Sequence, residues 1–197
     1  MKRIKKYFFV IIIFSILLCI GCNSQEKEEK NEVEGIEIES IESKIEKDEK
    51  NIEVRGNVEI INTKISLSML ENHEEATEYE FFSLNSYGTK EYFVFEGIPM
   101  LSFFDIVGIN EEFSSAIFEA EDGYKVEISY SDLIKVDYID EQNKEIKYPV
   151  VLAWKENGEK YDESEGYPFR LVIGQKEEGD VNKPNWIYNI NKIEFIK

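Results

Sequence analysis

Cysteine is scarce in this chain of 197 residues, which contains only Cys19 and Cys22. Both lie near the N-terminus, so the remaining sequence carries no thiol. A disulfide framework, a catalytic thiolate and a metal site built from cysteines are therefore excluded beyond Cys22. A folded domain in this region must be stabilised by an ordinary hydrophobic core, for which about 140 residues are sufficient.

Histidine and basic residues are also few. His73 is the single histidine, which excludes a metal site built from several imidazoles. The 41 Asp and Glu residues outnumber the 23 Lys and Arg residues, and the formal net charge is −18. A negative field of this size disfavours nucleic acid and anionic lipid head groups as partners. It is compatible with simple solubility or with the attraction of cationic partners.

The longest apolar run lies at the N-terminus and has the layout of an export signal. Met1–Lys6 contains four basic residues, and Tyr7–Gly21 carries no charge. A basic start followed by about 15 apolar residues is typical of a signal peptide, whereas a membrane-spanning helix needs about 20. An uncleaved N-terminal membrane helix is the alternative.

The end of this run resembles the lipobox of bacterial lipoproteins. Ile20-Gly21-Cys22 fits the pattern, although Cys19 stands where Leu is usual. The resemblance implies cleavage after Gly21 and acylation of Cys22 by diacylglycerol and palmitate, where two or more acyl chains give a stable anchor. The protein is then expected on the outer face of the bacterial cytoplasmic membrane.

Three regions follow from these changes in composition: a lipoprotein signal peptide over residues 1–21, an acidic tether over residues 22–50 and a folded domain over residues 51–197. The tether contains Ser24–Lys50, which has no aromatic residue. Such a segment buries too little apolar surface to offset the entropy lost on ordering, which favours a disordered spacer. A transient amphipathic helix over Ile36–Lys50 is the alternative, because its Ile residues recur at helical spacing.

From residue 51 onward, short β-type runs alternate with turn residues, which predicts a single α+β domain dominated by strands. A helix is predicted over Met100–Val107, ended by Gly108, and Ser131 is predicted to cap a helical turn over Asp132–Lys135. Asp122-Gly123 and Asn157-Gly158 predict turns, and Gly174–Lys183 predicts a loop. The predicted β-type runs are Ile52–Ile60, Lys64–Leu70, Glu78–Phe82, Glu91–Phe95, Ala116–Glu121, Tyr124–Ser129, Lys147–Trp154, Phe169–Ile173 and Ile187–Ile196.

Motifs in a distinctive order run from about Ser66 to Ile196. They are Phe95–Leu101 with Val107-Gly108, then Phe118–Tyr124, Val150–Glu159 and Glu165–Ile173, followed by Trp186. In this order they resemble the molybdopterin-binding domain of the sulfite-oxidase family of oxidoreductases, which implies that fold for the domain. The resemblance also implies a cofactor or ligand pocket near Ser83, Asn85, Ser86, Tyr87, Arg170, Lys183, Asn185 and Trp186.

The positions that would hold the cofactor depart from the family's pattern. Phe81–Gly88 contains no cysteine to ligate molybdenum; Ser83 and Ser86 are the candidates for its place, and a hydroxyl is a poor ligand for such a site. Where the family has lysines that hold the pterin phosphate, this chain has Asn182 and Asn185. We therefore expect no catalytic residue, no metal and no cofactor, with molybdopterin as the alternative.

One cation in an apolar run and several aromatic residues extend the candidate pocket. Arg170 lies inside an apolar run, so its guanidinium needs an acceptor, which is a cofactor, a carboxylate such as Glu165 or backbone carbonyls. A group of aromatic residues is predicted in or beside loops, where it lines a groove or packs in the core. These residues are Tyr87, Tyr161, Tyr167, Trp186 and Tyr188.

Three functions remain open. The first is a non-catalytic, membrane-anchored lipoprotein whose oxidoreductase-like domain is a binding or structural module for an extracellular protein or small molecule. The second is a molybdopterin-dependent oxidoreductase or redox subunit with divergent ligands. The third is a solute-binding lipoprotein.

Overall fold

A computed structural model of the protein describes residues 50–56, 61–109, 112–161 and 168–197. All of them fall within one of two units, Glu42–Lys197. The predicted signal peptide, the tether up to residue 49 with Cys22, and Glu165 and Tyr167 lie outside the described residues. Within the described ranges, no helix has the length and apolar character that crossing a membrane requires.

Strands dominate the described residues, in agreement with the predicted α+β class. Three short helices are α1 (Leu67–Glu71), α2 (Met100–Val107) and α3 (Tyr130–Leu133), and a 3-10 turn covers Lys183–Asn185. The strands are β1 (Asn51–Gly56), β2 (Ile61–Ser66), β3 (Thr77–Leu84), β4 (Lys90–Pro99), β5 (Ser115–Ala120), β6 (Lys125–Ser129), β7 (Tyr138–Ile139), β8 (Lys147–Tyr148), β9 (Val151–Glu156), β10 (Glu159–Lys160), β11 (Arg170–Val172) and β12 (Ile190–Ile196).

The first sheet has the order β2-β1-β12-β5-β6. Its last strand, β12, pairs in parallel with β1 and antiparallel with β5, so the end of the chain lies in the middle of the sheet. Along β12, Ile190, Ile193 and Phe195 are buried. The alternation of buried and more exposed residues on β5 and β12 is that of a sheet with one face on a core.

The second sheet has the order β10-β9-β4-β3, and β11 also pairs with β9. Strand β9 is buried over its first four residues, ending at Trp154. The register between β4 and β9 shifts between Glu96 and Gly97, where Trp154 is the extra residue on β9. Gly97 lies close to β9, and an added Cβ there would be 2.6 Å from Leu152 O. Residues of both sheets belong to one hydrophobic core cluster.

Turn residues define two of the hairpins as the sequence predicts. Asn157 and Gly158 both have positive φ, which is the type I′ geometry between β9 and β10. Between β5 and β6 only Gly123 has positive φ, and Ala120 N donates to Tyr124 O. This loop is therefore three residues long with Gly at its left-handed position, rather than a two-residue turn.

The predicted helix over Met100–Val107 is confirmed, and Gly108 ends it with φ of 78°. The predicted cap at Ser131 is wrong. Ser129 caps α3 instead: its backbone is extended and its Oγ accepts from Asp132 N at 3.2 Å. The helix therefore begins directly at the end of β6.

Three predicted β-type runs are interrupted. Lys64–Leu70 divides at Ser66, because the Ser66 side chain accepts from Met69 N and begins a helix. Lys147–Trp154 divides at Pro149, which has no N–H to donate to a strand neighbour. The run Ile187–Ile196 becomes regular only at Ile190, after Asn189 with positive φ.

Candidate functional site

The β3–β4 turn holds three of the predicted pocket residues. Asn85 Oδ1 accepts from the backbone N–H of Tyr87 and of Thr89, each at 2.9 Å, so Asn85 organises the turn. Ser86 is exposed, and the Tyr87 side chain is 95% exposed. These residues lie at the exposed tip of a hairpin rather than within a described pocket.

Ser83, a candidate for the place of the metal-binding cysteine, is buried in β3. Its exposed fraction is 0%, and its Oγ has no hydrogen-bond partner among the described residues. The neighbouring residues Phe81 and Phe82 are also buried, and Ser83 pairs in register with Glu91 on β4. A side chain sealed in this way does not reach a bound group at the surface.

Asn182, one of the two positions where the resemblance leads one to expect a lysine, is a structural residue. Its side chain is fully buried and bonds three backbone groups: it accepts from Leu84 N at 2.8 Å and donates to Phe82 O at 2.9 Å and Ile173 O at 3.1 Å. These contacts, called here the Asn182 network, join β3 to the segment that follows β11. No donor of Asn182 remains for a ligand, because an amide nitrogen carries two N–H groups.

For Trp186 the sequence leaves a groove or the core open, and the structure places it in the core. Its exposed fraction is 4%, its Nε1 donates to Ile173 O at 2.9 Å, and its ring packs edge-on against Phe93 and Phe95. Burial of a large indole whose N–H is satisfied is the usual way to place Trp in a core. Trp186 therefore holds the same segment as the Asn182 network.

Lys183 forms an ion pair and a cation–π contact within its own chain. Its Nζ lies 2.9 Å from Glu91 Oε2 and 4.2 Å from the centre of the Phe93 ring. Asn185, the second position matched to a family lysine, is exposed on the 3-10 turn. Ser83, Lys183 and Trp186 thus lie in one region, because Glu91 pairs with Ser83 and Lys183, and Phe93 contacts Lys183 and Trp186. The one cation of this group, Lys183, is already paired.

Arg170 is satisfied by a carboxylate and two aromatic rings. It pairs with Glu156, whereas the predicted partner Glu165 lies outside the described residues. Its guanidinium carbon lies 3.9 Å from the centre of the Tyr161 ring and 4.2 Å from that of Tyr188, which is a double cation–π arrangement. Burial raises the pKa of both tyrosines, so they remain neutral beside it.

The predicted loop Gly174–Lys183 is irregular but firmly held. Gln175 is fully buried; its Nε2 donates to Glu141 Oε2 at 3.0 Å and to Asp180 O at 2.8 Å. The Glu141 carboxylate also accepts from Lys90 Nζ at 2.6 Å and from Gly179 N at 2.8 Å. The hydrogen bonds from Lys90 and Gln175 lower the pKa of Glu141 to about 2.

A cleft of about 260 Å³, called here the β6 cleft, opens between β6 and the segment after β11. Asn185, one of the predicted pocket residues, borders this cleft, so the cleft is a candidate cofactor site. Lys176 Nζ lies 2.9 Å from Asp132 Oδ1, and this hydrogen bond lowers the pKa of Asp132. The cleft is lined by Tyr124, Val126, Glu127, Ile128, Ser129, Asp132, Tyr138, Ile173, Gly174, Lys176, Asp180, Pro184, Asn185 and Ile187.

The lining residues fit a phosphorylated, metal-binding pterin poorly. Three carboxylate residues border the cleft against one lysine, and that lysine is already paired with Asp132. A phosphate is held by several donors acting together, which this lining does not offer. Among the described residues there is also no cluster of three His, Cys, Asp or Glu side chains arranged to hold a metal.

Apart from Asn185, the residues of the β6 cleft are not predicted from the sequence. Asp132, Lys176 and Asp180 are ordinary charged residues in turn-rich segments, and no motif distinguishes them from the other charges of the chain. The single available signal was the Asp122-Gly123 turn, which predicts β6 but not that β6 borders a cavity. The remaining lining comes together only through tertiary contacts.

Comparison with known proteins identifies the family. The family described as oxidoreductase molybdopterin binding domain matches residues 44–195. The solved structure of the sulfane dehydrogenase SoxCD from Paracoccus pantotrophus is similar in fold, with a TM-score of 0.54 and 14% sequence identity. The match covers 75% of this chain but 38% of that one, so this chain spans well under half of the SoxCD chain. No curated protein matches the sequence.

The family match extends over most of the chain, and the chain therefore belongs to the molybdopterin-binding oxidoreductase domain family. The resemblance to the sulfite-oxidase family and the strand-rich fold predicted from it are confirmed.

Proposed function

We propose that this member of the molybdopterin-binding oxidoreductase domain family is a lipid-anchored, extracytoplasmic lipoprotein whose domain binds a partner and performs no redox catalysis. The observation that carries the proposal is the burial of Ser83. The sequence has no cysteine beyond Cys22, and Ser83, a candidate to replace the metal-binding thiolate, is 0% exposed within β3. A buried hydroxyl neither ionises nor reaches a cofactor at the surface.

The phosphate-binding positions support the same proposal. Asn182 is used by backbone groups of its own chain, and Lys183 is paired with Glu91. The remaining match, Asn185, is a neutral residue beside the acidic β6 cleft. The charges near these positions therefore favour a cationic partner over a phosphorylated anion.

The absence of redox catalysis is tested by pterin analysis of the full chain, purified in mild detergent from a bacterial host that makes the cofactor. After oxidation of the denatured protein, we expect no pterin fluorescence above background. A cysteine-containing member of the family, purified in parallel from the same host, is the control and should release its pterin. Release of about one pterin per chain from this protein would overturn the proposal.

The lipid anchor is tested by metabolic labelling with palmitate. Cys22→Ala should abolish labelling, because the thiol that receives the diacylglycerol is removed. Cys19→Ala is the matched control, since it alters a neighbouring cysteine of the same segment and should retain the label. Labelling of the Cys22→Ala protein would contradict the anchor.

A second candidate function is a molybdopterin-dependent redox protein with divergent ligands. The family match over residues 44–195 favours it, as does the similarity in fold to a sulfane dehydrogenase. The same pterin analysis separates the two candidates, because this alternative requires bound cofactor.

A further inference from the structure

Strand β6 has an uncovered edge. Among the described residues, β5 is the one strand that pairs with it. Ala120 N donates to Tyr124 O at 2.8 Å, and Tyr130 N donates to Ser114 O at 3.0 Å. In an antiparallel pair these contacts alternate along the strand, so the backbone groups of Lys125 and Glu127 point away from β5. Such outward N–H and C=O groups are a template for another strand.

The β6 cleft adjoins this edge and is apolar at its base. Val126 and Ile128 are half-buried and pair with the buried residues Phe118 and Ala116, so their side chains share the core-facing side of the sheet. Pro184 and Ile187 line the cleft together with them. A strand laid along β6 would place alternate side chains towards this apolar surface and the others towards Glu127.

The acidic residues around the β6 cleft favour a basic partner. Glu127, Asp132 and Asp180 border the cleft, and the one basic lining residue, Lys176, is paired with Asp132. The chain as a whole carries a formal net charge of −18. A second copy of this chain and its own acidic segment over residues 24–50 would both be repelled, whereas a basic segment would be attracted.

We propose that the β6 edge and the β6 cleft accept an extended, basic segment of a partner protein in which apolar and basic side chains alternate. The segment adds a strand to the first sheet, and its apolar side chains enter the cleft. Main-chain hydrogen bonds supply affinity in this mode of recognition, and alternate side chains supply specificity. This inference rests on the proposed binding function and names its partner class.

The probe is a blocked peptide of alternating lysine and valine carrying a fluorescent label, titrated with the full chain in mild detergent. We expect saturable binding by fluorescence anisotropy. An alternating glutamate–valine peptide should not bind measurably, because its charges are repelled. Salt at about 1 M, where the screening length is about 3 Å, should weaken binding of the lysine peptide. Equal binding of both peptides would overturn the inference.

The site is located with a proline on each edge of the first sheet. Glu127→Pro removes an outward N–H of β6, and binding should weaken by about tenfold, as for the loss of one hydrogen bond. Lys64→Pro is the matched control on β2: Leu67 N donates to Lys50 O, so by the same alternation Lys64 also points outward. Lys64→Pro should bind normally, and thermal melting verifies that both variants fold.

The charge of Glu127 is separated from its backbone by Glu127→Gln, which keeps the acceptor for Ser115 Oγ. At low salt this variant should bind the lysine peptide a few-fold more weakly than the original protein does. At high salt the two proteins should bind it with equal affinity. Undiminished binding by Glu127→Pro would overturn the inference. If the protein binds no peptide and also releases no pterin, the peptide site alone is refuted. If the protein releases pterin, the proposed function is refuted.

Discussion

Strand β6 and the segment after β11, which both contribute residues to the β6 cleft, differ in how far their polar groups are already hydrogen-bonded. In the segment after β11, Asn182 and Gln175 are buried, and their side chains are bonded to backbone groups. Strand β6, in contrast, presents backbone groups of Lys125 and Glu127 that point away from its one described neighbour. Asn182, a position matched to the family, therefore stabilises the fold, whereas the proposed binding surface lies at the edge of the first sheet.

Removing the Asn182 side chain should cost the protein the most stability. Asn182→Ala leaves Leu84 N, Phe82 O and Ile173 O without their partner, and each stranded group costs about 1–3 kcal/mol. We expect the free energy of unfolding to fall by about 3–5 kcal/mol in urea denaturation. Asn185→Ala, at the exposed matched position, should change it by less than about 0.5 kcal/mol. Similar values for the two variants would show that Asn182 is not structural.

Acid should weaken the attachment of the segment after β11, because Gln175 and Gly179 donate hydrogen bonds to the Glu141 carboxylate. Its folded pKa of about 2 lies below the ordinary value of 4.5, because Lys90 and Gln175 stabilise the charged form. The stabilisation is therefore present above pH 4.5 and is lost as the pH falls from 4.5 towards 2.

Glu141→Gln is the variant that isolates this effect, since its carbonyl oxygen still accepts hydrogen bonds and does not titrate. The difference in unfolding free energy between the original protein and Glu141→Gln should shrink between pH 6 and pH 3. A difference that stays constant over this range would show that Glu141 does not contribute in this way.

The smallest expected effect concerns Ser83. Its Oγ is buried without a hydrogen-bond partner among the described residues, so Ser83→Ala should raise the free energy of unfolding by about 1 kcal/mol. Ser66→Ala is the contrasting control, because the Ser66 side chain caps α1 and its loss should cost about 1 kcal/mol. Destabilisation by Ser83→Ala would show that the Ser83 hydroxyl has a hydrogen-bond partner.

Local signals in the sequence predict the hairpins and one helix. Gly108, Gly123 and Gly158 adopt the left-handed conformation that their turns require, and these positions were readable because glycine adopts positive φ without a steric penalty. Ser66 and Ser129 were misread, since an N-cap serine is recognised only once the strand before it has been located. The order of motifs predicts the family, because it extends over most of the domain.

The candidate site was less predictable, because its residues depend on contacts distant in sequence. Asn182 bonds to Leu84 and Phe82, which lie about a hundred positions earlier, and no local pattern marks such a contact. The family resemblance places Trp186 in the candidate pocket and leaves a groove or the core open, and only the structure shows that its N–H is satisfied by Ile173 O within the core. The β6 cleft forms only when β6 and the segment after β11 approach one another.

Whether the domain binds the cofactor is measured by the molybdenum-to-protein ratio of the full chain purified from a cofactor-making host, beside Ser83→Cys. We expect a ratio near zero for the original protein. We expect the same for Ser83→Cys, because Asn182 and Lys183 remain bonded within the chain and the new thiol is buried. A ratio near one in the original protein would refute the proposed function, since it would show that this domain holds the metal without a cysteine.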